Sequence, residues 1–354
     1  MRIVFNSAHA AHDAQHEFFR GRLVPAFETP QRADFIVQAL RDDPGFGGFV
    51  PVIDHGLAPL ERVHSAAYLR FLADAWAEFR ASGGGDGAEE GSEAFPAVWP
   101  VRTLRHDIEP QNFVAKLGLY SMDSGTPLTA GSWSAAYGGA QATLSALDLV
   151  RVGARSAYVL TRPPGHHAGR DFFGGYCFIN NAAVAAQAAL DAGAARVAIL
   201  DVDYHHGNGT QAIFYARRDV FVASLHGDPL TEYPFFLGHG DERGEGEGLN
   251  FNANFPLSAG TDNPRWFAAL EAALAQLEAF APELLIVSLG VDTYVGDPIS
   301  HFKLDAQEFT RLGERLARFG RPTLLVQEGG YATAAIGHNV LAVLRGFDSG
   351  AGAS

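Results

Sequence analysis

The chain has 354 residues, of which 47% are hydrophobic and 19% are charged, and its formal net charge is −14 at pH 7. This composition is typical of a globular protein with a large core, and the negative charge disfavours nucleic acid and anionic membranes as partners. The single cysteine, Cys177, excludes an internal disulfide and a multi-thiolate zinc site. No apolar run approaches membrane-spanning length and the N-terminus turns polar at Asn6, so we expect a soluble cytoplasmic protein.

The first part of the chain predicts few regular elements. Helices are predicted over residues 33–40 and 65–79. Residues 81–93 are rich in glycine and acids and predict a mobile loop, and the stretch from there to about Trp133 has no clear period. Long irregular segments of this kind are often binding or oligomerisation loops.

The second part alternates apolar runs with helical stretches. Strands are predicted over residues 156–160, 196–203, 220–226, 284–289 and 323–327. Helices are predicted over residues 182–192, 210–215, 263–280, 305–319 and 334–347. This alternation predicts an α/β fold with a central parallel β-sheet flanked by helices on both faces, whose ligands bind at the carboxyl ends of the strands. No linker divides the chain, so we expect one domain over residues 1–347 and a flexible tail over 348–354.

Acidic and imidazole side chains lie at the end of the strand predicted over residues 196–203. Residues two apart in a strand share a face, so Asp201, Asp203 and His205 are expected to project to one side. A carboxylate beside a neutral imidazole is a ligand set for a divalent metal. A salt-bridged strand end without a metal would give the same pattern.

Three further polar clusters follow predicted strands. His166 and His167 come after a Pro-Pro-Gly turn that follows the first of these strands. Asp292 lies just past the strand over residues 284–289, and Tyr331 follows two glycines after the last strand. Each cluster alone also fits a structural role, as an incidental histidine pair, a turn aspartate or a packing aromatic. Their common position at strand ends favours a single site.

Five ordered motifs carry a resemblance to a known family: residues 162–167, 174–181, 201–210, 289–293 and 328–331. In these motifs the chain resembles the histone deacetylase superfamily over about residues 1–347, and within it most resembles the bacterial acetylpolyamine amidohydrolases. The likeness to that subfamily rests on Glu28, Pro30, an extended loop over residues 84–130 and Asn208. The resemblance implies a single-domain arginase/deacetylase-like fold and a metal-dependent hydrolysis of N-acetyl amides.

The resemblance implies that Asp203, His205 and Asp292 hold the catalytic metal. Two carboxylates and one imidazole leave a coordination position for water and substrate. The set suits Zn²⁺ and also Fe²⁺, and the sequence does not choose between them. Such a metal polarises the scissile carbonyl and lowers the pKa of its water towards about 7.

The resemblance also implies which residues transfer protons. His167 matches the general base that later protonates the leaving amine, and His166 matches its electrostatic partner. Asp201 is expected to accept a hydrogen bond from His166, and Asn208 one from His167, which makes His166 the more protonated ring. Tyr331 matches the phenol that donates to the tetrahedral oxyanion.

Three residues match the family's substrate channel. Tyr176 and Tyr233 are implied as its aromatic walls, and Gly175 as the carbonyl that accepts the substrate amide N–H. Tyr233 also fits an aromatic on a surface loop.

Monovalent cations are implied as well. A structural K⁺ or Na⁺ is implied at Asp201, Asp203, His205, Ser224 and Leu225. The carbonyls of Phe214, Arg217 and Val220 are implied for a second site.

The resemblance implies that the loop over residues 84–130 narrows the channel and builds a homodimer or a dimer of dimers. Within it, Glu109 and Asp123 are candidates to pair with the distal ammonium of a polyamine. The match is imperfect, because Gly125 stands where an acid is expected, and Glu109 also fits a solvated loop carboxylate. The expected substrate is a small cationic acetylated amine.

Other functions compete with this expectation. A protein acetyl-lysine deacetylase would need a wider channel mouth. An arginase-like ureohydrolase is rejected, because its Asp-x-His-x-Asp pattern would need an acid at Gly207. A non-catalytic acetylamine-binding protein would lack the tyrosine, a histidine or a metal ligand, and all of these are present.

Overall fold

The computed structural model describes residues 1–46, 48–82, 92–101 and 103–350. The start of the predicted loop over residues 84–130 therefore lies outside the described residues, as does most of the predicted mobile loop over 81–93.

The strands and then the helices of the described residues are listed next, each in chain order. The strands are β1 (Arg2–Phe5), β2 (His16–Phe19), β3 (Arg22–Pro25), β4 (Phe49–Val50), β5 (Ser156–Leu160), β6 (Val197–Asp201), β7 (Val220–Gly227), β8 (Asn252–Leu257), β9 (Leu284–Leu289) and β10 (Thr323–Gln327). The helices are α1 (Gln31–Asp42), α2 (Ala58–Glu61), α3 (Ala66–Ala81), α4 (Phe113–Leu119), α5 (Ser132–Arg151), α6 (Asn181–Asp191), α7 (Asn208–Phe214), α8 (Asn263–Phe280), α9 (Ala306–Arg318) and α10 (Thr333–Gly350). None of the described helices is both long and apolar enough to cross a membrane.

Eight strands form one parallel sheet in the order β4-β1-β5-β10-β9-β6-β7-β8. β2 and β3 form a separate antiparallel hairpin. The predicted α/β fold with a central parallel sheet is confirmed. All five strands predicted in the second part of the chain belong to this sheet.

Helices cover both faces because each strand sends alternate side chains into two cores. Within β6, Ala198 and Leu200 join the core that includes α1, α8, α9 and α10. Val197 and Ile199 join the opposite core, which includes α3, α5 and α6. All five residues of this strand are buried. Burying an aliphatic side chain of this size stabilises the fold by on the order of 2 kcal/mol, which explains why the strands are apolar throughout.

The strand predicted over residues 196–203 ends at Asp201. Asp201 Oδ1 accepts a hydrogen bond from the N–H of Asp203 at 3.1 Å, and Asp203 Oδ1 accepts one from the N–H of His205 at 2.9 Å. These side-chain bonds compete with the sheet ladder and turn the backbone away from it. Asp203 and His205 therefore reach the site from a turn, and the expectation of a shared strand face is wrong.

The structure also contains elements that the sequence pattern does not predict, namely β1, β2, β3, β4, β8, α2, α4 and α5. The predicted tail over residues 348–354 is corrected in part, because α10 continues to Gly350. A Cβ at Gly350 would lie 3.0 Å from the Cα of Glu314, so this end of α10 contacts α9 closely. Residues 351–354 lie outside the described residues.

Candidate active site

Four neighbouring strands, β5, β10, β9 and β6, end at the same edge of the sheet. His166 and His167 follow β5, and Tyr331 follows β10. Asp292 follows β9, and Asp201 is the last residue of β6. The polar clusters that the sequence places after separate strands therefore meet at one site.

Asp203, His205 and Asp292 form a compact group of metal-binding side chains, whose ligand atoms lie within 4.8 Å of one another. His205 Nδ1 lies 3.5 Å from Asp203 Oδ1 and 3.2 Å from Asp292 Oδ2. Glycines leave room for these carboxylates. A Cβ would lie 2.2 Å from Asp203 Oδ2 if built on Gly290, and 2.5 Å from it if built on Gly329.

The electrostatics of this group call for a cation. Burial and the charge of Asp203 raise the pKa of Asp292 to about 8. Burial lowers the pKa of His205, but its bonds to Asp203 and Asp292 and their charges outweigh burial and raise that pKa to about 10. Two buried carboxylates this close are costly unless a positive charge lies between them. The donor set fits a divalent ion such as Zn²⁺ or Fe²⁺.

The two adjacent histidines have different partners. His166 Nδ1 lies 2.9 Å from Asp201 Oδ2, and His167 Nδ1 lies 2.7 Å from Asn208 Oδ1. Both partner oxygens are acceptors, so Nδ1 of each ring carries a proton, and Nε2 of His167 keeps a lone pair when the ring is neutral. The structure thus brings both predicted pairs together.

These partners separate the pKa values of the two rings. Burial lowers the pKa of His166, but the charges of Asp201 and Asp203 outweigh it and raise that pKa to about 10. Burial and the charge of His166 hold the pKa of His167 well below its ordinary value. These shifts favour the positive charge on His166 and a neutral ring on His167, which is the expected direction.

Two buried neighbours of His166 have no role in the sequence prediction. Glu328 Oε2 accepts hydrogen bonds from the N–H groups of Gly165 at 2.7 Å and His166 at 3.2 Å. Burial raises the pKa of Glu328 to about 7. Ligand atoms of His166, Cys177 and Glu328 lie within 4.8 Å of one another. The position of Glu328 directly after β10 is the feature of the sequence that could have indicated a place at the site.

Tyr331 is held through its backbone and its ring. Its N–H donates to Asp297 Oδ2 at 2.7 Å. The Arg32 guanidinium carbon lies 4.6 Å from the centroid of the Tyr331 ring, where a cation is attracted to the aromatic face. Arg32 also donates to the carbonyl of Gly330 at 2.6 Å and to Glu28 Oε1 at 2.7 Å. The sequence pattern indicates a role for neither Arg32 nor Asp297.

Aromatic rings and backbone enclose the two catalytic candidates His167 and Tyr331. The ring of Tyr233 meets that of His167 edge-on, with centroids 5.0 Å apart and an interplanar angle of 87°. The ring of Tyr176 lies 5.6 Å from that of Tyr331. A Cβ at Gly175 would lie 2.2 Å from His167 Cδ2, so the Gly175 backbone lies against the imidazole. The three predicted channel residues therefore all lie at the site.

A carboxylate lies behind each aromatic wall. Glu17 Oε1 accepts a hydrogen bond from Tyr176 O–H at 2.7 Å, and Asp123 Oδ2 accepts one from Tyr233 O–H at 2.6 Å. Burial raises the pKa of Glu17 to about 7. Glu17 lies on β2, 159 positions from Tyr176, and no sequence signal identifies it.

The two acids expected to pair with a distal ammonium already have partners within the chain. Asp123 accepts hydrogen bonds at both of its oxygens, and its role as an ammonium partner stays a prediction. Glu109 accepts a hydrogen bond from Tyr120 O–H and lies 3.6 Å from Lys116 Nζ, inside its own loop. The side chain of Glu109 remains 44% exposed, and its role stays a prediction.

The residues implied for the first monovalent cation lie at and after the end of β6 and within β7. Asp201 and Ser224 are paired in register between these strands, and Leu225 follows in β7. The carbonyl of Phe214 accepts a hydrogen bond from the N–H of Arg217 at 2.9 Å. Cation binding at these positions stays a prediction.

Comparison with known proteins agrees with this geometry. The histone deacetylase domain matches residues 26–347. Acetylpolyamine amidohydrolase 1 of Pseudomonas aeruginosa is 51% identical over 352 residues, which cover 99% of this chain and 100% of that protein. The acetylpolyamine amidohydrolase of Mycoplana ramosa is 46% identical over 346 residues, which cover 98% of this chain and 99% of that protein.

Solved structures show the same relationship. The crystal structure of acetylpolyamine aminohydrolase from Burkholderia pseudomallei matches with a TM-score of 0.91 at 40% identity, covering 100% of this chain and 99% of that one. The HDA15 HD domain matches with a TM-score of 0.77 at 28% identity, covering 98% of this chain and 90% of that one. Together, these matches support a deacetylase or amidohydrolase activity. The chain belongs to the histone deacetylase family, and it is similar over its whole length to bacterial acetylpolyamine amidohydrolases.

Proposed function

We propose that the protein hydrolyses the acetyl amide of small cationic acetylated amines, with acetylpolyamines as the substrate class. The observation that carries the proposal is a metal-ligand group, a neutral imidazole and a phenol around one aromatic-walled site. The ring of His167 lies 6.3 Å from that of His205, and the ring of Tyr331 lies 5.6 Å from that of Tyr176. Relatives that span the whole chain are named acetylpolyamine amidohydrolases.

The chemistry needs an activated water and a base. Asp203, His205 and Asp292 would hold a divalent metal, Zn²⁺ or Fe²⁺, which when bound would supply Lewis acidity towards the amide carbonyl and lower the pKa of water. His167 takes the water proton at Nε2, because its Nδ1–H donates a hydrogen bond to Asn208 Oδ1. The same ring then delivers that proton to the leaving amine.

His166 and Tyr331 contribute charge and a hydrogen bond. The cationic ring of His166, held by Asp201, lowers the pKa of His167 and so keeps the base neutral before it accepts a proton. Tyr331 O–H donates to the oxyanion that forms when water adds to the amide carbon. One such donor stabilises the transition state by about 3 kcal/mol.

Charge and shape support a cationic alkyl substrate. The chain carries a net charge of −14, which attracts cations to it. Aromatic rings such as Tyr176 and Tyr233 suit a methylene chain and exclude water from it. A K⁺ or Na⁺ beside Asp201 and Ser224 completes the proposed set of bound ions.

A homodimer through the loop over residues 84–130 is part of the proposal. Four apolar side chains of this loop are more than half exposed: Val98 at 56%, Val101 at 62%, Leu104 at 55% and Ile108 at 57%. A cluster of exposed apolar residues is typical of a surface that binds another protein. Light scattering coupled to size-exclusion chromatography measures the mass directly, and a monomer would remove this part of the proposal.

The proposal is tested by a substrate screen on protein reconstituted with Zn²⁺ or Fe²⁺. N-acetylputrescine and acetylspermidine are expected to have a higher kcat/KM than acetyl-lysine peptides. Preferred turnover of the peptides would instead identify a protein-lysine deacetylase. Binding of all these amines without turnover would identify a non-catalytic acetylamine-binding protein.

A further inference from the structure

Asp123 connects two walls of the site through one oxygen atom. Its Oδ2 accepts hydrogen bonds from the N–H of Gly175 at 2.7 Å and from the O–H of Tyr233 at 2.6 Å. Its Oδ1 accepts from the N–H groups of Gly125 at 2.9 Å and Thr126 at 3.2 Å. An ionised carboxylate offers about four acceptor positions, so those of Asp123 are filled within the chain.

The two residues that Asp123 connects flank the same imidazole. The Gly175 backbone lies against His167, since a Cβ there would be 2.2 Å from His167 Cδ2. The Tyr233 ring meets the same imidazole edge-on at 5.0 Å. If Gly175 or Tyr233 moved, the ring of His167, the proposed base, would lose one of these two contacts.

The segment that carries Asp123 also holds the residue after Gly175. Gly175 and Tyr176 have φ values of 54° and 67°, and the left-handed region is unfavourable for a tyrosine. The N–H of Tyr176 donates to Thr126 Oγ1 at 2.9 Å, next to the Asp123 bond to Gly175. Side chains of one short segment therefore stabilise both residues in this conformation.

We propose that Asp123 is a positioning residue that fixes the spacing of the channel walls around His167 and does not bind the substrate ammonium. The proposal rests on the function proposed above, because it assigns Tyr233 and Gly175 to the substrate channel. Bonds to an ionised acceptor are stronger than neutral ones, so an aspartate holds both walls more firmly than an asparagine would. A substrate ammonium would have to displace a backbone N–H or the Tyr233 hydroxyl to reach this carboxylate.

The experiment compares Asp123→Asn with the wild-type enzyme on two substrates of equal length, cationic N-acetylputrescine and neutral N-pentylacetamide. A positioning role lowers kcat/KM for both substrates by the same factor, about 10- to 100-fold for a lost hydrogen bond to a charged group. A loss confined to N-acetylputrescine would overturn the proposal, because it would mean direct pairing with the ammonium.

A double-mutant cycle with Tyr233→Phe tests whether Asp123 acts through the wall. Tyr233→Phe removes only the hydroxyl that donates a hydrogen bond to Asp123. The double variant is therefore expected to lose little more kcat/KM than Asp123→Asn alone. Fully additive losses would overturn the proposal. Asp54→Asn is a matched control. Asp54 lies on the exposed surface and accepts hydrogen bonds from Tyr137 O–H at 2.6 Å and from the N–H of Gly56 at 2.9 Å.

A crystal structure of Asp123→Asn gives a readout that does not depend on turnover. Displacement of the Tyr233 ring or of Gly175 supports the positioning role, and unchanged positions of both would overturn it. Absence of turnover of every acetylated amine by the wild-type enzyme would instead remove the proposed function, and the structural result would still be interpretable.

Discussion

The two sides of the site are built in different ways. On the sheet side, the proposed ligands and bases follow four adjacent parallel strands, and their side chains are almost fully buried. On the loop side, the walls belong to irregular segments, and their tyrosine hydroxyls donate hydrogen bonds to Glu17 and Asp123. The sheet side therefore holds the proposed catalytic groups at fixed positions, and the walls on the loop side are held by separate hydrogen bonds.

The largest effect is expected on the sheet side from Asp292→Ala. This change removes one of two carboxylates from the proposed metal-ligand group, so bound metal and activity should both be lost. The variant should keep the wild-type circular dichroism spectrum, because the side chain lies past the end of β9. Elemental analysis measures the metal content, and a near-normal content would remove Asp292 from the ligand set.

A smaller effect is expected from Tyr331→Phe, which keeps the ring and removes the hydroxyl. The bond that this hydroxyl makes strengthens in the transition state, so kcat should fall by about 100- to 1000-fold while KM changes little. Steady-state kinetics on N-acetylputrescine separate the two constants. A change in KM alone would contradict the proposed role.

The smallest effect is expected on the loop side, from Glu17→Gln, and it concerns stability. Burial raises the pKa of Glu17 from 4.5 to about 7, so the folded state binds this proton more tightly than the unfolded state. The stabilisation is complete below pH 4.5 and is lost as the pH rises through about 7. The free energy of unfolding of the wild type relative to the variant should therefore fall across this range, by on the order of 3 kcal/mol.

Urea denaturation at pH 5 and pH 8 measures this difference for Glu17→Gln. Glu278→Gln, which removes the same charge from an exposed position on α8, is the control and should show no such trend. A constant difference between wild type and Glu17→Gln at both pH values would show that Glu17 does not titrate with a raised pKa.

The sheet side was predictable because its signals are local. An apolar run predicts a strand, and a polar residue directly after it predicts a position at the edge of the sheet. Asp292 illustrates the limit of this reasoning, because its position after a strand predicts the edge of the sheet but does not predict contact with the group around Asp203. The strand order then explains their proximity, since β9 and β6 are neighbours.

The loop side was less predictable because its bonds join distant, aperiodic segments. Asp123 lies 110 positions from Tyr233, and a lone acid in an irregular loop gives no sign of such a partner. Helix α5 escaped prediction for a different reason. Thirteen of its 20 residues are buried and it is rich in alanine and glycine, so it shows no polar face that would mark a helical period.

The position of β10 has a consequence for how the enzyme matures. β10 is the last strand along the described chain, yet it lies between β5 and β9 in the sheet. During synthesis, both neighbours are made before it and cannot complete the sheet without it. Glu328 and Tyr331 follow that strand, so the proposed site cannot be complete until β10 has taken its place between β5 and β9.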